Sequence, residues 1–399
     1  MKMKTAIPAM IAIVAIVAVG VIALRPEAVD GPVRAVLGIA TGTGSAVREG
    51  QPNEPPGGPA SEDPRPVAPV ATLAPGAGVR LHGVAAAIAK PAGALRLATY
   101  NIENLFDPLK EGEHPGMARD DASEGDPHPV KPVEHRRAVA AAIHAINADV
   151  LAVQEISSLE ALTKFRDEYL SDLGYTYVAS IDAGDRRGIE QSVLSRFPIK
   201  ESINWPGMVL GGTHPEKWGR QNNEWAGQPI KFARSPLKVV VEVPATADKA
   251  ARIIPLTLFV IHHKSGGPGG YWREAEAART AELAKAAAGE GWAADAAVVV
   301  LGDFNAKTGE APLQAYLAAG FTSAMGDRPD TDPTWITHSS GRVIDHLFLS
   351  PWLAKRLVPD TRFVLGTITR PEGVDWRTTP APPGWASDHY PVVIDFKFE

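Results

Sequence analysis

Residues 298–305 read Val298-Val299-Val300-Leu301-Gly302-Asp303-Phe304-Asn305. Three valines and a leucine in succession leave no polar face, which is the pattern of a strand buried on both sides. Gly302 closes the run, and an acid and an amide follow it, two positions apart. On an extended segment such residues share a face, so Asp303 and Asn305 are expected to point together beyond the strand end. A single acid in that place ordinarily caps a turn or a helix. Its meaning depends on how the other strands end.

They end alike. Leu95–Tyr100 runs into Asn101-Ile102-Glu103-Asn104, and Val150–Val153 into Gln154-Glu155. Ile253–Ile261 runs into His262-His263-Lys264-Ser265, and Ser387-Asp388-His389 precedes the last strand, Val392–Phe396. Ser192–Leu194, Leu237–Val243, Ala297–Leu301 and Val343–Leu349 complete the strand pattern. Helical periodicity falls over Val133–Ile146, Leu159–Leu173, Tyr271–Ala288 and Ala311–Ala319, with a short helix over Leu81–Ala89. Strands alternating with helices define an α/β domain over residues 94–399. Several buried strands that each deliver carboxylates, amides or imidazoles to one end are how such a domain assembles a site.

The donor types narrow the chemistry. The chain has no cysteine, which excludes disulfides, thiolate catalysis and thiolate metal sites. Carboxylate and amide oxygens suit a hard cation, Mg²⁺ or Mn²⁺. Histidines beside them suit hydrogen bonding to a phosphate or proton transfer to a leaving oxygen. With 399 residues, 45% of them hydrophobic, the chain has material for a sizeable core, and a net charge of −6 excludes a globally basic nucleic-acid binder.

In chain order, Asn101-Ile102-Glu103-Asn104, Gln154-Glu155, His262–Ser265, Gly302-Asp303-Phe304-Asn305, Ile344-Asp345-His346 and Ser387-Asp388-His389 resemble the motifs of the endonuclease/exonuclease/phosphatase superfamily. That group holds pancreatic-type deoxyribonuclease and the exonuclease III-like abasic-site endonucleases. The resemblance implies a four-layer α/β sandwich, two central mixed sheets flanked by helices. It implies that Glu155 is the principal metal-binding carboxylate, that Asn101 orients metal or phosphate, that Asp388 lies near the metal and that Glu103 is a supplementary acid. Asp303 is implied to position or deprotonate the attacking water, and Asn305 to contact the phosphate. His389 corresponds to the histidine that touches the scissile phosphate, with Asp345 orienting it. His262 corresponds to the general acid for the leaving oxygen, and Glu190 stands where its acidic partner is expected. The asparagine that usually precedes this second histidine is Ile261 here, a departure that affects hydrogen bonding around it. His346 points away from Asp345 on a strand and is read as structural. The implied reaction is in-line attack of water on a phosphorus ester without a covalent intermediate.

The remaining segments bear on substrate and address. Between Asp185 and Lys238 lie Arg186, Arg187, Arg196, Lys200, Lys217, Arg220, Lys231, Arg234 and Lys238, interleaved with Trp205, Trp218 and Trp225. Basic residues among aromatics can follow a phosphate backbone and stack on bases, which favours a nucleic-acid substrate. Arg234 resembles a family arginine entering a strand. A phospholipid diesterase of the sphingomyelinase kind, a phosphomonoesterase and a catalytically silent binding module stay open. The acidic stretch from Pro108 to Pro132 would offer an additional Ca²⁺ site, although its spacing matches no calcium loop. At the start of the chain, Lys2 and Lys4 precede a charge-free apolar run from Ala6 to Leu24, about 19 residues, close to the length that spans a bilayer. Residues 1–25 are expected to be a signal anchor or signal peptide, and 26–93 a Pro/Ala/Gly-rich flexible tether. That organisation places the domain outside the cytoplasm, with the membrane as a partner if the segment is uncleaved and no protein partner inferred.

Overall fold

The computed structural model describes residues 78–106, 130–245, 252–289, 292–326, 328–375 and 378–398. The strands in the first half are β1 (Leu95–Leu105), β2 (Val150–Ile156), β3 (Tyr177–Ser180), β4 (Glu190–Ser195), β5 (Ile199–Ile203), β6 (Val209–Thr213), β7 (Lys217–Trp218), β8 (Gln221–Asn222) and β9 (Pro229–Lys231). Those in the second half are β10 (Leu237–Pro244), β11 (Ile253–His262), β12 (Val298–Asp303), β13 (Thr322–Ser323), β14 (Asp345–Leu349), β15 (Phe363–Val364) and β16 (Val392–Phe396). They form two six-stranded sheets, ordered β15-β16-β1-β2-β4-β3 and β13-β14-β12-β11-β10-β5. Each sheet has one parallel pair at its centre, β1/β2 and β11/β12, with antiparallel pairing on either side.

Side-chain alternation sorts the residues into four layers. Leu95, Leu97, Val150 and Ala152 of the first sheet share one core with Leu256, Leu258, Val260, Val299 and Leu301 of the second. The opposite faces bury Ala98, Tyr100, Leu151 and Val153 beneath helices α1 (Val133–Ile146) and α2 (Leu159–Tyr169). On the second sheet, Phe259, Ile261, Val298 and Val300 lie beneath α3 (Gly270–Ala287) and α4 (Ala311–Ala318). The order helix, sheet, sheet, helix is the α/β sandwich expected.

α1 covers the expected residues, whereas α2 stops at Tyr169 and a 3₁₀ turn, Ser171–Leu173, follows it. Leu81–Ala89 is not a helix. It runs through bends along the domain edge, where Val84 pairs with Leu365 and Gly83 N donates to Pro333 O. Val79 N donates to Thr369 O, so the ordered domain takes in residues from 78 onward that composition assigned to the tether. Edge pairing to a distant loop leaves no periodic trace in an Ala- and Gly-rich segment. The Ala6–Leu24 run, the tether to residue 77 and the acidic loop through residue 129, with its Ca²⁺ reading, lie outside the described residues. Among the described residues no helix is long and apolar enough to cross a membrane.

Candidate functional site

The core-facing rows of both sheets end in polar residues. In β11 the row Ile254, Leu256, Leu258, Val260 is continued by His262, and in β12 Val299 and Leu301 are continued by Asp303. Asp345 continues Leu349 and Leu347 of β14, and Asn101 continues Leu95 and Leu97 of β1 past Thr99. Strand register puts His262 beside Asp303 and Asp303 beside Asp345 in one lateral row. The same period of two sends the neighbouring histidines to the other face. His263 meets the Tyr316 hydroxyl at 2.9 Å and Glu276 at 3.5 Å, and His346 donates to Ala306 O at 3.0 Å. Both are buried structural residues, which settles the register at His262-His263.

Gly302, one position before Asp303 and between Ile261 and His346, has φ +139°, and a Cβ placed there would lie 2.1 Å from Ile261 O. Gly302→Ala is therefore expected to destabilise the fold by about 3 kcal/mol or more, because the clash is with backbone that cannot move aside. A melting curve checks it, and a melting temperature like that of the parent would contradict the close approach.

Glu155 reaches the site by a different device. Alternation alone would turn it outward, since Gln154 occupies the inward position and bonds Thr99. Two register shifts correct this, one between Asn101 and Leu105 of β1 and one between Gln154 and Ile156 of β2. Glu155 takes φ +66°, and Glu103 and Asn104 take +52° and +57°. Left-handed non-glycine residues cost about 1–3 kcal/mol each and persist where the surroundings hold them. Here Asn104 N donates to Glu155 Oε2 at 3.1 Å and Glu103 N to Asn101 Oδ1 at 3.1 Å. Ser158, not Glu155, caps α2.

The two sheets meet at four side chains. Asn101 Nδ2 donates to Asp303 Oδ2 at 3.2 Å and Glu155 Oε1 at 3.4 Å, and His262 Nε2 lies 3.4 and 3.8 Å from the same two oxygens. Asn305 converges on Asp303, though not along an extended strand. The strand ends at Asp303, Asn305 turns to φ +49°, its N–H donates to Asp303 Oδ1 at 2.8 Å and its Nδ2 to Oδ2 at 3.1 Å. His389 Nδ1 donates to Asp345 Oδ2 at 2.8 Å, while Nε2 stands 3.7 Å from Asp303 Oδ2. Asp388 pairs with His338 at 3.4 Å. Glu103 accepts from Trp385 Nε1 at 2.5 Å and faces Lys131 at 3.7 Å.

Electrostatics distinguishes the two inward histidines. Burial opposes charge on His389, but the carboxylates of Asp345 and Asp303 outweigh it and hold the ring well above the ordinary histidine range. His262 is pushed well below that range by burial, aided by Arg234 and Arg187. Burial raises the Asp303 carboxyl to about 7 against the pull of His389, with Asp345 and Glu155 adding to the rise. Glu103 is likewise raised to about 7, by burial first and then by Asp388. Burial works against the Asp388 anion too, yet the hydrogen bond from His338 and the nearby rings hold its carboxyl well below the usual range.

The sign for His389 follows from linkage. Its raised folded pKa contributes stability that is complete below about 6.5 and lost as pH climbs through the folded value. Asp345→Asn removes the foremost raising partner, so the His389 ring is expected to titrate about 1–3 pH units lower. The stability window should then close from its alkaline side. Imidazole NMR titration with melting curves across pH checks this, and an unmoved His389 titration would contradict the pairing.

The expected Glu190–His262 pair is not formed. Glu190 is hydrogen-bonded to Ser180, its carboxyl raised to about 7 by burial, and among the described residues His262 Nδ1 has no hydrogen-bond partner. The basic–aromatic segment also changes meaning. Arg196 pairs with Asp149, Lys200 with Glu242, Arg234 with Asp185 and Lys238 with Glu201, all ion pairs of the scaffold. Trp218 and Trp225 pack on each other and on Trp272, and Trp205 stacks on Phe259. Trp205 belongs to the cluster beneath α3 and α4, and Trp218 and Trp225 are half-buried beside the two-stranded sheets β6/β9 and β7/β8, so the three are not a row of open stacking faces. Lys217, Arg220 and Lys231 remain exposed on that arm. It abuts the end of β11, where Lys264 Nζ lies 5.0 Å from the Trp218 ring.

Among the described residues, His338 and Lys131 belong to no sequence motif, and Arg187 was singled out only within the basic–aromatic segment. His338 holds Asp388, Lys131 donates to Glu103 O at 2.9 Å, and Arg187 donates to Asn104 Oδ1 at 2.6 Å beside Glu155. His338 and Lys131 sit in connecting segments whose local sequence carries no signal.

The donor set fits a divalent cation. Glu103, Glu155, Asp303 and Asp388 bring four carboxylates together with the Asn101 amide, so hard oxygens predominate. His338, Asp388 and His389 form one group whose ligand atoms lie within 4.8 Å of one another, and Asp303, Asp345 and His389 form another. In the second, the Asp345–His389 hydrogen bond already occupies two of the atoms. Glu103, Glu155 and Asp388, whose side chains retain 31%, 12% and 36% exposure, form the open side of the site.

The model of the endonuclease/exonuclease/phosphatase family matches residues 98–389, and the chain belongs to that family, whose members are phosphoester hydrolases. No curated protein matches the chain by sequence. Similar solved structures include the human nocturnin catalytic domain with bound sulfate, at 16% identity over 78% of this chain and 97% of that one, TM-score 0.46. A Bacteroides thetaiotaomicron mannosyl-6-phosphatase is 17% identical over 75% of this chain and 98% of its own, TM-score 0.43. A humanized D. rerio TDP2 is 16% identical over 76% and 98%, TM-score 0.42.

Proposed function

We propose that the chain is a divalent-cation-dependent phosphodiesterase, acting as a nuclease on DNA or RNA outside the cytoplasm. The observation that carries hydrolysis is the buried row His262–Asp303–Asp345 with His389, closed from the other sheet by Asn101 and Glu155. Glu155, Asp388 and Glu103, with Asn101 beside them, would hold the cation, which supplies Lewis acidity and charge neutralisation when bound. Asp303 serves as the base that orients and deprotonates water, its carboxyl at about 7 suiting proton transfer near neutrality. Asn305 holds Asp303; its Nδ2 is bonded to Asp303 Oδ2 and to His263 O, so contact with the phosphate would require one of these to be released. His389, kept charged by Asp345, donates to a phosphoryl oxygen. His262 is held neutral and lacks its acidic partner, so it serves better as an Nε2–H donor than as the general acid. The leaving oxygen then takes its proton from water.

A polymeric substrate is supported by Lys217, Arg220 and Lys231, exposed on an arm that adjoins the His262–Ser265 segment. Their contribution is one of charge, so cleavage should weaken steeply with salt. The charge-free Ala6–Leu24 run behind Lys2 and Lys4 supports an extracytoplasmic address, checked by protease access in intact cells. The full-length protein is assayed on supercoiled plasmid, RNA, sphingomyelin vesicles and a phosphomonoester with Mg²⁺, Mn²⁺ or Ca²⁺. Chelator-sensitive nicking supports the reading. Phosphocholine release without nicking transfers the chemistry to lipid, phosphate release alone to monoesters, and no turnover overturns it.

A further inference from the structure

We propose that Arg187 is a substrate-binding residue whose guanidinium holds a phosphate oxygen of the ester beside the cation site. The proposal rests on the phosphoester reading and adds to it a residue outside every motif. Arg187 Nη2 donates to Asn104 Oδ1 at 2.6 Å and stands 3.7 Å from Glu155 Oε2. The second distance is too long for a hydrogen bond, so the guanidinium is next to the metal-binding carboxylate without being closed onto it.

The other cations nearby are committed differently. Lys131, 4% exposed, is spent on the carbonyl of Glu103 at 2.9 Å. Arg234, 3% exposed, is spent on Asp185 and His263 O. Arg187 keeps 28% of its side chain exposed. Its hydrogen bond to Asn104 uses one nitrogen of a group that carries five donors in a planar fork, the geometry that matches a phosphate.

The backbone beneath it is fixed. Arg187 N donates to Asp185 Oδ1 at 2.6 Å and Gly188 N to Asp185 O at 2.9 Å. Arg234 grips Asp185 at 2.6 Å, and Ser235 N donates to Ala183 O at 2.9 Å. A guanidinium on a loop tied at both ends is preorganised, which a solvated surface arginine is not. Once a cation offsets the charge of Glu155, the field at Arg187 favours an anion.

The competing role is scaffolding, in which Arg187 only keeps Asn104, and through it Glu155, in place. Two binding measurements on the full-length protein separate them, Mn²⁺ alone and inorganic phosphate in the presence of Mn²⁺, both by calorimetry. Arg187→Gln is expected to weaken phosphate at least about tenfold, the size of a charged hydrogen bond, while Mn²⁺ affinity stays level or rises as a nearby positive charge is lost. Arg187→Lys keeps the charge without the fork and should fall between. Parallel weakening of Mn²⁺ and phosphate, or unchanged phosphate affinity, overturns the proposal. If melting shows that the glutamine variant does not fold, the lysine variant carries the same comparison, and lysine binding phosphate as the parent does would overturn it. A protein that binds phosphate through Arg187 but hydrolyses no ester would sink the hydrolytic reading and leave this one standing.

Discussion

Replacing Asp303 by asparagine is expected to lower turnover by about three orders of magnitude, within the range for loss of a general base. The fold should survive. Asp303 is 2% exposed, and its carboxyl is raised to about 7, mainly by burial. Between about pH 4 and 7 the native state therefore keeps a proton that the unfolded chain has released, and stability falls as pH rises through that window. Asparagine removes this titration. Against the gain, the new amide nitrogen would face Asn101 Nδ2 and Asn305 Nδ2, both donors, which costs about 1–3 kcal/mol for unsatisfied groups. The two terms are of similar size, so the melting temperature at a single pH is a poor test. Its pH dependence is a sharp one. In chelator, the wild type should lose stability from pH 4 to 7 while Asp303→Asn stays nearly flat. A variant with full turnover, or one with the parent's pH slope, would remove Asp303 from the role given to it.

Much of this site was legible because it extends the pattern of the core. His262, Asp303, Asp345 and Asn101 occupy the next positions in rows of inward apolar residues, so alternation alone places them. The same rule sets His263 and His346 aside. The strand Val298–Asp303, from which the fold was read, has the burial its valines required. Glu155 was identified by resemblance and not by periodicity, since a bulge with φ +66° reverses the face that counting assigns. Asn305 reaches Asp303 through a turn held by the aspartate's own side chain, not by the spacing of a strand.

What was illegible depended on contacts distant in sequence. His338 meets Asp388, Lys131 meets Glu103, and Trp385 meets Glu103 from 282 positions away. No local window contains both members of the last two kinds of pair when the connecting segment is irregular. The Glu190–His262 pair failed because strand order intervenes. Glu190 opens β4 opposite Ile156, past the shift in β2, and its carboxylate bonds Ser180 of the edge strand β3, so that it is Glu155 of β2 that lies beside His262. The tryptophans of the arm show the limit of composition, which records that aromatic and basic residues alternate but not that the rings turn toward one another.

Glu155→Gln should weaken divalent-cation binding by about 100-fold or more, since residues that merely support a metal ligand are already worth 10–100-fold. Turnover should vanish at low metal and return in part at high concentration. Glutamine keeps the length of the side chain and an oxygen to accept from Asn104 N, so the hydrogen bond that stabilises the left-handed turn is retained. The change removes charge, and the fold is expected to hold. Calorimetry with Mn²⁺ reads affinity without reference to catalysis. Retention of wild-type affinity would point to the group His338, Asp388 and His389 as the seat of the cation. His389 would then be a ligand rather than a phosphate contact, and His338→Ala, not Glu155→Gln, would abolish binding. Loss in the glutamine variant with retention in His338→Ala fixes the cation at the bulge between β1 and β2, and leaves His338 the work of holding Asp388.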